Sequence, residues 1–306
     1  MTAFALTLVL VAAVLHATWN LCAKRAGGGL PFVWMVGAII CVGYVPVVAG
    51  YWAWQHPTLP AGAAWWILGS GGLKTSYALF LQRGYRTGDF SLIYPLARGT
   101  GPLLSTLAAV ALLGERPSAL AMGGGLVIVA AIFFLTSGAS AAGRIILKPS
   151  PRRAPSTERR VKDNAPYLGA VFYGVMSGVF IAAYTLWDRH GVAALGVPPL
   201  LYDAGTAFTQ LALLTPFALR RRDEVVTEWR EKKHWAFAVA LLSPIAYVLV
   251  LTALRSTPVS YVAPAREVSI VIGAFLGARV LQEPDGRRRG WAAVAMAAGV
   301  IALALG

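Results

Sequence analysis

Charged side chains are scarce in this sequence: Asp, Glu, Lys and Arg make up 13% of its 306 residues, against roughly 25% in a soluble globular domain. That scarcity excludes a water-facing surface over most of the chain. Acids are scarcer still, 13 against 27 Lys and Arg, and the net charge of +14 would suggest nucleic acid as the partner of a soluble protein. Here the basic residues lie in short clusters between apolar segments, where they orient membrane helices, so nucleic acid is not expected. Only two cysteines, Cys22 and Cys41, and four histidines occur, at no spacing that makes a disulfide framework or a metal site. There is no HExxH pair and no nucleophile elbow. Lys74-Thr75 follows a glycine-rich run, but Leu73 stands where a Walker loop needs glycine. Neither an enzyme nor a bound cofactor is expected.

What the chain has in abundance is apolar sequence, 57% of its residues, in stretches of about twenty that suit a hydrocarbon slab of about 30 Å. These stretches predict helices near 3–24, 31–54, 63–85, 91–113, 118–138, 166–188, 198–219, 234–255, 259–281 and 290–305. The first lacks a basic leader and runs on to Trp19 and Asn20, so it is read as a retained helix rather than a signal segment. The one long polar stretch, 140–164, carries seven Lys and Arg and three prolines, which predicts a basic linker. The expected organisation is a first five-helix repeat over 1–139, the linker, and a second over 165–306.

The repeat is visible in the residues. One constant shift superposes Trp19 on Trp187, Gly28 on Gly196, Pro31 on Pro199, Arg98 on Arg266 and Glu115 on Glu283. Charges this sparse rarely coincide twice at one Arg-to-Glu spacing. Because each half holds an odd number of helices, the second crosses the membrane in the opposite sense, giving an inverted repeat. The expected fold class is therefore all-α integral membrane, with ten transmembrane helices as two inverted five-helix repeats.

The loops after helices 1, 3, 5, 7 and 9 collect 21 of the 27 Lys and Arg, whereas the opposite set holds Arg116, Arg189 and Arg255. The positive-inside rule puts the rich loops, 140–164 included, in the cytoplasm and both termini outside. A multi-pass protein of a bacterial inner membrane is expected, surrounded by lipid, with a homodimer compatible with the sequence.

A charge inside the apolar slab costs at least about 2.5 kcal/mol, so each needs a partner, a wet cavity or a route to the interface. Arg98 and Arg266 lie about seven residues into their helices, roughly 10 Å from the start. Each has two readings: a planar fork of donors holding an anionic substrate in a central cavity, or a tie between neighbouring helix ends. Lys74, Tyr77 and Tyr247 lie within helices as secondary substrate-binding candidates, joined by Asn20 near the end of the first helix. Asp188 and Glu267 are candidates for the coupling ion. Adjacent positions on a continuous helix do not face each other, so Glu267 need not share a cavity with Arg266. Trp19 and Trp187 suit an interfacial belt, and Asn20 and Asp188 also suit helix–helix hydrogen bonds. His16 reads as a packing residue, and Pro95 and Pro264 as breaks in the helical hydrogen bonding.

Three segments carry a family resemblance: His16-Ala-Thr-Trp-Asn20; Tyr85-Arg-Thr-Gly-Asp-Phe-Ser-Leu-Ile-Tyr-Pro-Leu-Ala-Arg-Gly99 running on to Gly114-Glu115-Arg116-Pro-Ser118; and Pro258-Val-Ser-Tyr-Val-Ala-Pro-Ala-Arg-Glu-Val-Ser269. In these the chain resembles the EamA family of the drug/metabolite transporter superfamily over essentially its whole length. The resemblance implies a secondary metabolite transporter, often an exporter, with a central cavity between the repeats and no organic cofactor. With the inverted repeat, whose geometry favours alternating access, and the buried arginines, the expected function is an exporter or exchanger of a small polar or anionic metabolite. It does not choose among substrates. Relatives are usually drawn with both termini in the cytoplasm, opposite to the charge count here. The competing classes are a non-transporting membrane scaffold and a membrane-embedded enzyme acting on lipid-linked substrates.

Overall fold

The computed structural model describes residues 1–27, 29–87, 90–146, 157–270, 272 and 286–306. Ten α-helices occur among them, and no strand: α1 (Ala3–Ala26), α2 (Leu30–Gln55), α3 (Ala63–Thr87), α4 (Phe90–Leu112), α5 (Ala119–Ile146), α6 (Thr157–Arg189), α7 (Pro199–Leu219), α8 (Arg222–Ser256), α9 (Val259–Arg266) and α10 (Gly286–Leu305). A single π-helical turn, His190–Ala194, closes α6. Gly28, Glu283 and linker positions 147–156 lie outside the described residues, as does most of the expected helix beyond residue 270.

Several helices exceed their expected lengths. α5 and α6 extend into the segment read as a linker, ending at Ile146 and starting at Thr157. α8 starts twelve residues early because nothing between Arg222 and His234 stops a helix: that stretch has no Gly or Pro, Asp223 and Glu224 sit in its first turn, and Glu228 pairs with Lys232 one turn on at 3.0 Å. Its polar start and the apolar run after it make one long element.

Packing follows the duplication. α1 lies along α8 as α6 lies along α3, and α3 meets α7 as α8 meets α2. The self-paired contacts α2–α7 and α5–α10 straddle the pseudo-twofold axis. Exchanging helix n with helix n+5 reproduces the main pairings, so each half packs chiefly through the other. The glycine-rich segments make the close approaches. A Cβ added at Gly124 of α5 would stand 2.6 Å from the Gly299 carbonyl of α10, and one at Gly71 of α3 would stand 2.5 Å from Thr209 of α7. Small residues at such crossings replace the hydrophobic drive that lipid cannot supply.

The core runs through the interface between halves, from Val9 on α1 through Ile128 and Ile132 on α5 to Leu251, Leu254 and Val262 on α8 and α9, with Met296 on α10. Large apolar side chains also face outward, among them Phe4, Val42, Trp54, Leu241, Trp291 and Leu305. Among the described residues, four helical spans are long and apolar enough to cross a membrane: Ala3–Ala23, Leu30–Gln55, Val171–Ala194 and Arg222–Ser256. An apolar exterior around a core that buries several charges is the pattern a bilayer selects.

Candidate functional site

The centre of the molecule holds two clusters of buried polar side chains. The first forms where α9 stops. Glu115, just after α4, accepts the N–H groups of Val259 (2.8 Å) and Ser260 (3.0 Å), two of the orphan donors that every helix start presents. Arg189 donates to the Thr257 carbonyl at 2.6 Å and pairs with Glu115 at 3.5 Å. With its start fixed in this way, eight residues of helix carry the chain about 12 Å into the protein, to Arg266.

There the α-helix ends. The Glu267 N–H donates to the Pro264 carbonyl at 3.1 Å and the Ile270 N–H to the Glu267 carbonyl at 2.9 Å, tight-turn bonds in place of the α-helical pattern. Arg266 and Glu267 consequently do share one site. The Arg266 Nε lies 3.3 Å from Glu267 Oε1, and Arg98 of α4 approaches Glu267 Oε2 at 3.5 Å. All three are buried. Two arginines to one glutamate leave a formal excess of one positive charge. Arg266 Nη2 has no hydrogen-bond partner, nor do His16 Nδ1 and Trp19 Nε1. His16 feels the fields of both arginines and meets Trp19 edge to face at 5.1 Å.

The second cluster gathers around Lys74 of α3. Its ammonium lies 3.4 Å from Asp188 at the end of α6 and 3.8 Å from Asp203 of α7. It donates to Thr206 Oγ1 at 3.2 Å and stands 4.1 Å from the centre of the Tyr247 ring, a cation–π distance. Asp188 accepts from Tyr202 at 3.1 Å and from Tyr247. Asp203 accepts from Tyr44 of α2 at 2.6 Å. One ammonium against two carboxylates leaves a formal excess of one negative charge. Tyr247 also lies within electrostatic range of Arg266 of the first cluster.

The sequence-based candidates thus divide. Arg98, Arg266 and Glu267 fall in the first cluster, and Lys74, Asp188 and Tyr247 in the second. Tyr77 packs edge to face on Tyr184 at 6.0 Å. Asn20 turns its amide onto its own helix and donates to the His16 carbonyl at 2.7 Å. Trp187 is half-buried and donates to the Trp66 carbonyl at 2.8 Å. Sequence reasoning passes over Asp203, Tyr44, Tyr202 and Thr206. Asp203 carried a usable signal: it is the one charged residue of α7, and a lone charge in an apolar helix needs an opposite partner.

Among curated proteins none matches the chain by sequence. A solved structure, described only as a crystal structure of a protein, is similar over 98% of both chains, with a TM-score of 0.72 and 18% identity; at that identity the likeness shows the fold alone. The pattern of the EamA-like transporter family matches residues 3–137 and again 168–305, one match for each half of the duplicated bundle. With both halves covered, the chain belongs to the EamA-like transporter family.

Proposed function

We propose that the protein is a secondary transporter, an exporter or exchanger, that moves a small polar or anionic metabolite by alternating access between its two repeats. Family membership carries the general statement, a transporter rather than an enzyme. The finer reading is carried by one observation: in a buried cluster with excess positive charge, Arg266 Nη2 has no hydrogen-bond partner. A buried donor left unmade costs about 1–3 kcal/mol, more if charged. A carboxylate or phosphonate oxygen would satisfy it, with His16 and Trp19 alongside. Alternating access is favoured by how the charges pair. Lys74 with Asp188 and Asp203, and Arg98 with Glu267, join one repeat to the other, so rocking the repeats breaks and remakes these pairs. The protein would sit in a bacterial inner membrane, with the basic loops, 140–164 among them, on the cytoplasmic side.

The test is thermal stabilisation of the detergent-purified protein across amino acids, organic acids, phosphonates, nucleosides and cationic drugs, because a ligand preferring the folded state raises its melting temperature. Stabilisation by an anion that disappears in Arg266→Ala supports the reading. Stabilisation by cations alone defeats the anion assignment.

A further inference from the structure

The Lys74 cluster contains more negative charge than it can balance from within. The charged and titratable groups facing it are Lys74 from α3, Asp188 from α6, Asp203 from α7, Tyr44 and Cys41 from α2, Tyr202 from α7 and Tyr247 from α8. Among the described residues Lys74 is the cation paired with these carboxylates; Arg266 acts on Tyr247 but pairs with Glu267. Three tyrosine hydroxyls already donate into the carboxylates; hydroxyls soften a charge but do not cancel it. The oxygens are unequally served. Asp188 receives donors on both, whereas Asp203 takes one short hydrogen bond, from Tyr44 at Oδ2, while its Oδ1 stands 3.8 Å from the ammonium, beyond hydrogen-bond length, with the Thr206 side chain beside the carboxylate. The Thr206 hydroxyl beside it donates elsewhere, to the Asp203 backbone carbonyl at 2.9 Å.

Access is unequal too. The Asp188 side chain is fully buried, while those of Asp203 and Lys74 keep 11% and 14% exposure. A second sign of something missing comes from Ser70. It lies one helical turn before Lys74 on the same face of α3 and is fully buried, and its hydroxyl, which interacts with Tyr202 of the cluster, completes no hydrogen bond of normal geometry. Glu267, by contrast, has its charge balanced by two guanidiniums, although its Oε2 accepts no hydrogen bond.

We propose that the Lys74–Asp188–Asp203 cluster is a proton-binding site, with Asp203 the carboxylate that takes up and releases the proton at Oδ1. The step is the association of one proton from water with one carboxylate, and no other bond changes. Protonation leaves Lys74 paired with Asp188 alone in a neutral cluster. Deprotonation draws the ammonium back toward α7. Because Lys74 belongs to one repeat and both acids to the other, proton occupancy acts on the contact that alternating access must break. This coupling role rests on the transporter reading; the proton site itself does not.

The test needs no substrate. Infrared difference spectra of the detergent-solubilised full chain are recorded between mildly alkaline and mildly acidic buffer, above the range in which solvated loop carboxylates take protons. The expected result is a protonated-carboxyl band in the unmodified protein that is lost in Asp203→Asn and kept in Glu267→Gln. Asp188→Asn, which also leaves one carboxylate for one ammonium, should lose it as well, and serves if Asp203→Asn does not fold. A band that survives both aspartate substitutions, a band lost only in Glu267→Gln, or no band at all overturns the proposal. Stabilisation by sodium ions that vanishes in Asp203→Asn overturns it in favour of a metal-cation site.

Discussion

The two repeats share a frame but not a chemistry. The shift that lays Arg98 on Arg266 also lays Asn20 on Asp188, Met35 on Asp203 and Gly99 on Glu267. The three buried central acids therefore all come from the second half, and their positions in the first half are uncharged. A Cβ at Gly99 would stand 2.7 Å from the tip of the Phe133 ring, which would have to move to admit a larger side chain. The first half supplies Lys74 and Arg98 instead. Duplication explains the matching helix pairings; divergence explains why Lys74 and Arg98 find their carboxylates across the interface, while Arg266 pairs within its own half. It also explains why the two clusters differ in sign, one with a formal excess of positive charge and the other of negative.

If that division is correct, the largest effect belongs to Lys74. Lys74→Met leaves two buried carboxylates without their cation, which should cost about 3–5 kcal/mol of stability, read as lost folded yield and a lower melting temperature. Adding Asp203→Asn removes one of the stranded charges and should recover part of the loss, a coupling between neighbours that a double-mutant cycle measures. Additive losses would show that the cluster is not an electrostatic unit. Next comes Arg266→Ala, which should weaken an anionic ligand by roughly 2–5 kcal/mol, thirtyfold or more, in the concentration dependence of thermal stabilisation. Unchanged stabilisation would move the anion site elsewhere. Glu115→Ala lies outside both clusters but frees the start of α9. Losing the two amide bonds should cost about 1–2 kcal/mol in melting temperature, with a smaller loss of ligand stabilisation because Arg266 is then held less firmly.

Much of this was open to sequence reasoning, and for a physical reason. Hydrocarbon demands long apolar helices, so their number and rough positions follow from composition alone, and a charge within one is conspicuous. Lys74, Arg98 and Arg266 stand out in that way. What stays hidden depends on tertiary contact or on local backbone. That Lys74 faces Asp203 requires α3 to cross α7, which no single-helix pattern reveals. That Glu267 shares a site with Arg266 requires the helix to end between them; Pro264 hints at a break, but adjacency along a regular helix argues the other way. Asp188 illustrates a third limit. Its position at a helix end suits an interfacial residue, yet α8 and α7 bring Tyr247 and Tyr202 over it and bury it completely.

The smallest expected effect tests the comparison from its uncharged side. Asn20 stands where the second repeat has Asp188, beside a tryptophan in both halves, yet its amide is spent on the His16 carbonyl of its own helix. A side chain bonded to its own helix one turn back contributes little to packing between helices. Asn20→Ala should therefore shift stability by no more than about 0.5 kcal/mol and leave anion stabilisation within twofold, while Asp188→Ala strips Lys74, Tyr202 and Tyr247 of a shared acceptor and should lower the melting temperature far more. Equal effects at the two positions would mean that the repeats divide the work evenly. A large loss of ligand stabilisation in Asn20→Ala alone would mean that the amide turns from its carbonyl to the substrate, placing Asn20 with Arg266 in the anion site.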